Sequence, residues 1–456
     1  MQKLIVKNFG PLTDIDLEIK DFMVFIGPQA SGKSTIAKLV WFFKTVFDEL
    51  IITIVPSILY SDQSISNLHD QFVSSLIKKL VNIFPSINAT EKIGSIKYLY
   101  NNDLSLSIHI NKSGIISIQN SEEFFGKFSE LQLIQNNKRT SRWLRELIKI
   151  FRNFLKDEPL LSRLIQPTIN SIAKNFNISY IPSGRTLLTT FNPVIRSRVF
   201  GATSLLSTYE KNSFNYFDWM MNTYAERRDI LISKFYDAKK ENILQVSNES
   251  IALAFQERIV RILNAKKYTV DDSGNELLYV NSDTYIPIGH ASSGQQESIS
   301  IILEMIDLLE SSTKRDVIIE EPESHLYPIA QKQLLEVIAL TYNAVLGNQF
   351  IITTHSPYVL TSLNSLIVAY KTGNEPGNRE AVSAIIPEAC WLDPARVGAY
   401  YVGGTIDGED NTGQIKSIIG ESGLIGGNEL DDASDEIGDE FDAIMAIRRK
   451  ERRASV

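Results

Sequence analysis

With one cysteine in 456 residues, Cys390, the chain cannot close an internal disulfide, which suits a reducing compartment and leads us to expect the cytoplasm. Histidine is scarce and scattered, five in all, so no His/Cys cluster has the spacing of a structural zinc site. No apolar run is long enough to span a bilayer. The opening, MQKLIVKNFGPLTDIDLEIK, alternates apolar and polar residues where a signal peptide would carry a continuous apolar core. Sustained heptads are missing too, which argues against a coiled-coil rod. Positive charge is short: the formal net charge of −8 speaks against whole-surface attraction to nucleic acid. Ten acids against five bases from Glu421 onward supply most of that deficit, so the body is near neutral and leaves room for a local basic face. What is present is ordinary, 43% hydrophobic and 22% charged, a soluble globular balance with length for two or three structural units.

Near the N-terminus, MVFIGPQASGKSTIAKLVWFF reads as strand, loop and helix. Gly27, Pro28, Gln29, Ala30, Ser31, Gly32, Lys33 and Ser34 satisfy G-x-x-x-x-G-K-[ST], with Thr35 next in the helix. Glycines let the backbone turn its N–H groups inward around a phosphate, and the following helix adds its positive dipole end. Lys33 would reach the β- and γ-phosphates of ATP, and the Ser34 hydroxyl would ligate Mg²⁺. A chance glycine-rich turn is the bland alternative, and the strand-to-helix setting speaks against it.

Far downstream, DVIIEEPESHLYP runs three apolar β-formers, Val317 to Ile319, into two adjacent carboxylates. Side-by-side acids at a strand end repel each other and resist desolvation, so they call for a cation, a proton to handle or open water. Beside a magnesium–nucleotide site, Glu320 would hold the metal through water and Glu321 would orient and deprotonate the attacking water. An exposed strand end carries the same letters, and the upstream phosphate loop favours the functional reading. Two further stretches share the pattern's logic. GHASSGQQESISIILEMIDLLESS opens on Ser292, Ser293, Gly294 and Gln295 and continues at helical spacing. There Ser293 with Gln296 suggests a capping box, and a small-residue helix start is a second anion-binding surface. A well-capped core helix would look alike. QFIITTHSPYVL gives a strand ending at His355, one helix after the carboxylate strand, which puts its end beside the phosphate loop in a parallel sheet.

In this order the residues resemble the ABC-type ATPase head of the SMC, Rad50, RecF and OLD-nuclease proteins. The resemblance implies an α/β P-loop NTPase fold with a β-rich flank. It makes Ser292 to Gln295 the signature, acting on a nucleotide bound by another subunit, and His355 the γ-phosphate sensor. Ser324 and His325 fall at the D-loop, and SYIPSGRTLL, with Ser183 and Arg185, at a Q-loop-like segment, although a Pro-Ser-Gly turn accounts for the same letters. EEPESHLYP with TTHSPYVL is similar to stand-alone bacterial ATPases of phage-defence systems such as Septu and PARIS. The sequence departs from the pattern at Ala30, where a glycine is common, in the signature, and at Glu320, where aspartate is usual.

The matching stretches bracket a large insertion, giving expected units at 1–120 (phosphate loop and antiparallel strands), 121–265 (mostly helical), 266–372 (signature, carboxylate strand, D-loop, histidine) and 373–456 (an extension ending in an acidic amphipathic helix with Phe441 and Ile444 on its apolar face). On the helix SRWLRELIKIFRNFLKD, Arg142, Arg145, Lys149, Arg152 and Lys156 share one stripe that could track a phosphate backbone or meet a partner, as could any solvated helix face. The carboxylates after His355 do not converge as a two-metal nuclease needs. The expected function is an ATP-hydrolysing homodimer or higher oligomer, using ATP and Mg²⁺, whose nucleotide state gates a separate nuclease or toxin in phage defence, without a membrane. A DNA-repair ATPase clamping duplex DNA and a slow-turnover assembly platform are the alternatives.

Overall fold

The computed structural model describes residues 2–46, 48–49, 65–85, 93–121, 178–190, 219–237, 248–311, 314–345, 347–406, 409–426 and 438–447. Strands β1 (Gln2–Phe9) and β2 (Leu12–Ile19) alternate as their sequences do, with Leu4 facing Leu17 and Val6 facing Ile15 on the buried side. They are followed by β3 (Phe22–Ile26), α1 (Lys33–Lys44), α2 (Ile65–Ile83), and then β4 (Gly94–Leu99), β5 (Ser105–Ile110) and β6 (Ile116–Asn120). The order β2-β1-β4-β5-β6 makes an antiparallel sheet, the β-rich flank expected from the alternation between Ser95 and Ser121.

The span 178–263 contributes β7 (Ile178–Ile181), α3 (Thr186–Thr190), α4 (Trp219–Asp237) and α5 (Glu249–Leu263). Strands β8 (Lys267–Val270), β9 (Glu276–Tyr279) and β10 (Tyr285–Pro287) form a small sheet leading into α6 (Ser293–Ser311). Then come β11 (Asp316–Glu320), α7 (Pro328–Ala344), β12 (Phe350–Thr354), α8 (Pro357–Gly373), α9 (Arg379–Ser383), β13 (Val397–Val402), β14 (Thr405–Ile406), β15 (Glu409–Asp410) and β16 (Ile415–Ser417), and residues 438–447 form α10.

The central sheet runs β16-β13-β3-β12-β11-β7, parallel except for β16. Its middle strands are buried on both faces, which is why they read as continuous apolar runs. Phe22, Val24 and Ile26 face a core shared with α5, α6, α7 and α8, whereas Met23 and Phe25 face α1 and, beyond it, the antiparallel sheet. At the sheet's other end, Lys44 Nζ donates to Asp316 Oδ2 (2.6 Å) and Gln349, pinning α1 to β11 and β12. Two strands of this sheet lie outside the expected head segments: β7, from a span expected to be mostly helical, which leads into the Pro182–Arg185 turn, and β13, from the C-terminal extension. Phe441 and Ile444 are exposed, so the apolar face of α10 does not pack on the described residues.

Candidate functional site at the C-terminal edge of the parallel sheet

Because β3, β12, β11 and β7 are parallel and in level register, with Ile26 beside Thr354, Thr353 beside Glu320 and Ile319 beside Ile181, their C-terminal ends form one row. The loops leaving that row carry Gly27 to Gly32, His355, Glu320 with Glu321, and Ser183 with Arg185. Sequence-distant residues thus meet at the edge where open α/β sheets bind ligands.

The Lys33 loop is held open by backbone geometry. At Gly27 (φ +150) a Cβ would lie 2.3 Å from the Val402 carbonyl oxygen, and at Gly32 (φ +112) it would strike the Leu12 side chain, so both positions require glycine. Ala30 adopts φ +61, a left-handed conformation costing about 1–2 kcal/mol for a residue with a side chain. A glycine is common there in the resembling heads, and its absence is therefore felt. Pro28, Gln29 and Ala30 are exposed, as is Ser34, with Thr35 half-buried. No side chain caps the start of α1, which leaves its N–H groups available to an anion. Lys33 Nζ is buried and donates to the carbonyls of Gly27 (2.8 Å) and Pro28 (2.7 Å). Burial lowers its pKa to about 8, against the upward pull of Glu321, Glu323 and Glu320.

Glu320 is buried, and both carboxylate oxygens are engaged: Oε1 accepts from the Tyr180 hydroxyl (2.7 Å), Oε2 from the Ser183 N–H (3.1 Å) and, at 3.4 Å, its hydroxyl. Glu321 takes φ +45, which swings it off the strand direction. Its Oε1 stands 3.5 Å from His355 Nε2, and its Oε2 accepts from Ser324 Oγ at 3.3 Å. Burial and the Lys33 charge push the His355 pKa below its ordinary value, so the imidazole is neutral at pH 7. Glu323, which sequence reasoning passed over as merely the third acid of Glu-Pro-Glu, ties two strand ends together. Its Oε1 accepts from Thr354 Oγ1 (2.7 Å) and the His355 N–H (2.8 Å), and burial raises its pKa. The spacing of Glu323 after Glu320, one tight turn beyond the strand, was the available signal. Tyr180 was missed although SYIPSGRTLL contains it, and Val402 lies outside every motif.

The structure corrects the helix cap. The capping box is Ser292 with Gln295, one residue earlier than expected: Ser292 N–H donates to Gln295 Oε1 (2.9 Å), and Gln295 N–H lies 3.4 Å from Ser292 Oγ. Gln296 is occupied instead with the carbonyls of Ala291 and Gly289 and the Thr189 hydroxyl. Ser292 and Ser293 are exposed, and Ser292 pairs within the helix tip with Gln295. Gly294 packs on the loop after β11, where a Cβ would sit 2.6 Å from the His325 carbonyl oxygen. Arg185 is fully buried and does not line the Lys33 loop; it binds the carbonyls of Glu320 and Glu321. Arg142, Arg145, Lys149, Arg152 and Lys156 lie outside the described residues. Among the described residues no group of three His, Cys, Asp or Glu is arranged to hold a metal, and no helix is long and apolar enough to cross a membrane.

Residues 1–360 match the AAA ATPase domain family. The chain belongs to that family. The chain is also similar, over shorter or more distant matches, to ATPases of the SMC, Rad50 and RecF kind. The DNA double-strand break repair Rad50 ATPase of Saccharolobus solfataricus is 32% identical over 109 residues, which are 24% of this chain and 12% of that protein, so the match spans about an eighth of the relative. Among solved structures, the Smc head bound to the C-winged helix domain of ScpA covers 92% of this chain and 98% of its own, at 12% identity and a TM-score of 0.41. The SMC head domain from Thermotoga maritima covers 91% and 98%, at 9% identity and a TM-score of 0.35.

Proposed function

We propose that this ATPase binds ATP with magnesium at the Lys33 loop and hydrolyses it between two copies of the chain, and that its nucleotide state gates a separate effector, a nuclease or toxin, in bacterial defence against phage. One observation carries the chemistry: Glu321 and His355 stand 3.5 Å apart on neighbouring strand ends, in the row that also carries the buried Lys33. In this reading the loop N–H groups and Lys33 hold the β- and γ-phosphates. Glu321 takes a proton from the attacking water, and neutral His355 donates a hydrogen bond to the γ-phosphate.

The residues suit a magnesium ion. Such an ion takes one carboxylate and a hydroxyl together with phosphate oxygens and waters, not a protein cage, and no cage is found among the described residues. Ser34 would hold it directly and Glu320 through water, where it would neutralise developing phosphate charge. Tyr180 and Ser183 fix the longer Glu320 side chain in place of the usual aspartate. The exposed Ser292–Ser293 tip supports a signature acting on the nucleotide of a second copy. The defence role rests on the resemblance of EEPESHLYP and TTHSPYVL to defence ATPases, and neighbouring genes encoding an effector would support it. The Rad50 similarity favours a second reading, ATP-dependent binding of duplex DNA that weakens steeply with salt.

The test is Glu321→Gln. Turnover should fall at least ~100-fold, in the range general-base loss produces, while an ATP-bound oligomer accumulates in light scattering. Wild-type turnover in this variant would remove Glu321 from the reaction.

A further inference from the structure

Arg185 spends a whole guanidinium on main-chain atoms of three separate segments without any access to solvent. Nη1 donates to the Glu320 carbonyl (2.8 Å) and to Pro182 in its own turn (3.0 Å), and Nη2 donates to the Glu321 carbonyl (3.1 Å). Nε donates to the Glu297 carbonyl in the first turns of α6 (3.0 Å) and lies 2.9 Å from Glu297 Oε2. The other Glu297 oxygen accepts from the Thr186 N–H at 3.3 Å. From α3 the connection continues: Thr189 Oγ1 donates to Gln296 Oε1 (2.8 Å), and Gln296 Nε2 donates to the carbonyls of Ala291 (2.9 Å) and Gly289. The carboxylate strand end and the tip of α6 are thus joined through one planar cation and its neighbours.

The Glu321 end of this connection is conformationally special. Glu321 sits at φ +45, which a residue with a side chain avoids unless its surroundings impose it. Its N–H donates to Thr353 O (2.8 Å) and its carbonyl is held by Arg185, so the guanidinium fixes the peptide that aims the Glu321 carboxylate at His355. A lysine has one point of attachment and cannot span these carbonyls as a fork does.

We infer that Arg185 is a positioning residue that couples the aim of Glu321 to the placement of the Ser292–Gln295 helix tip. When nucleotide moves one, Arg185 moves the other. The inference rests on the proposed ATP site and goes beyond it by naming the connection between the two half-sites of one chain. Arg185 touches no substrate in this arrangement, so its loss should act on turnover and on transmission, not on nucleotide capture.

The experiment compares the full-length wild type with Arg185→Lys. It measures ATP affinity by equilibrium binding, kcat and KM by phosphate release, and hydrogen exchange with and without ATP. In the wild type, ATP should slow exchange both in peptides covering 24–36 and in those covering 289–298. In Arg185→Lys, affinity should stay within about threefold and the 24–36 response should persist, while kcat falls about tenfold or more and the 289–298 response is lost. A variant with wild-type kcat and an intact 289–298 response overturns the inference, as does a wild type whose 289–298 peptides ignore ATP while 24–36 responds. No response in 24–36 of the wild type instead refutes the ATP site itself, and the coupling with it. Should Arg185→Lys prove unfolded, Glu297→Gln, which keeps the carbonyl acceptor and removes the charge, is held to the same two readouts.

Discussion

Lys33 is an ammonium taken out of water and given two carbonyl oxygens in exchange. Its folded pKa, about 8, lies below the ordinary 10.5 because burial outweighs three nearby carboxylates. The sign follows: below pH 8 the buried charge works against the fold, and that cost fades as pH climbs from 8 towards 10.5. A phosphate in the loop reverses the balance by supplying opposite charge and holding the proton on. Above pH 8, ATP binding should therefore take up a proton, and affinity should fall by up to about tenfold per pH unit, with little change below pH 7. Calorimetric titration at pH 7, 8.5 and 9.5, in buffers of different ionisation heat, reads both effects. An affinity that stays flat to pH 9.5 would place the binding charge elsewhere. At this scale the sequence was informative where chemistry demands one residue type at one spacing, as with Gly27, Gly32 and Lys33. It offered only a spacing for Glu323 and a place in SYIPSGRTLL for Tyr180, whose importance comes from what the fold lays beside them.

Helix α6 shows why element boundaries are harder than elements. Ser292 to Gln295 and Ser293 to Gln296 both fit the capping pattern, so local sequence offers two frames one residue apart. The carbonyls of Ala291 and Gly289, together with Thr189, engage Gln296 and leave Gln295 to close the box. That choice is tertiary and has no local signature. The same helix meets the loop after β11 at Gly294, where a Cβ would stand 2.6 Å from the His325 carbonyl and 3.0 Å from the Leu326 side chain. Neither backbone can yield cheaply, so Gly294→Ala should cost about 1–3 kcal/mol, the usual penalty of overpacking, and lower the unfolding midpoint by several degrees. An unchanged midpoint in a thermal melt would mean that this contact is absent in solution.

For the molecule as a whole, the telling strand is β13. Its six residues, VGAYYV, suit a strand, yet nothing nearby in sequence announces its partner. Val397 to Tyr401 pair in parallel with Phe22 to Ile26, a separation of some 375 residues that only the complete fold resolves. The pairing also builds the wall against which Gly27 turns, since the Val402 carbonyl occupies the space that a side chain there would need. A chain ending after residue 426 keeps β13 and β16 and should melt cooperatively near the wild-type temperature. A chain ending after residue 392 uncovers a β3 edge and the apolar surface that Val397, Ala399 and Tyr401 bury, and should aggregate or fail to bind nucleotide. Solubility, a melt and a nucleotide titration on the two truncations decide this, and a soluble, nucleotide-binding 1–392 would contradict it.

The same pairing has a consequence for synthesis. The Lys33 loop is made some 370 residues before the strand that closes its flank. Until that strand slots in beside β3, the turn at Gly27 has no wall to close against, so the loop takes its final shape only after a long-range pairing is made.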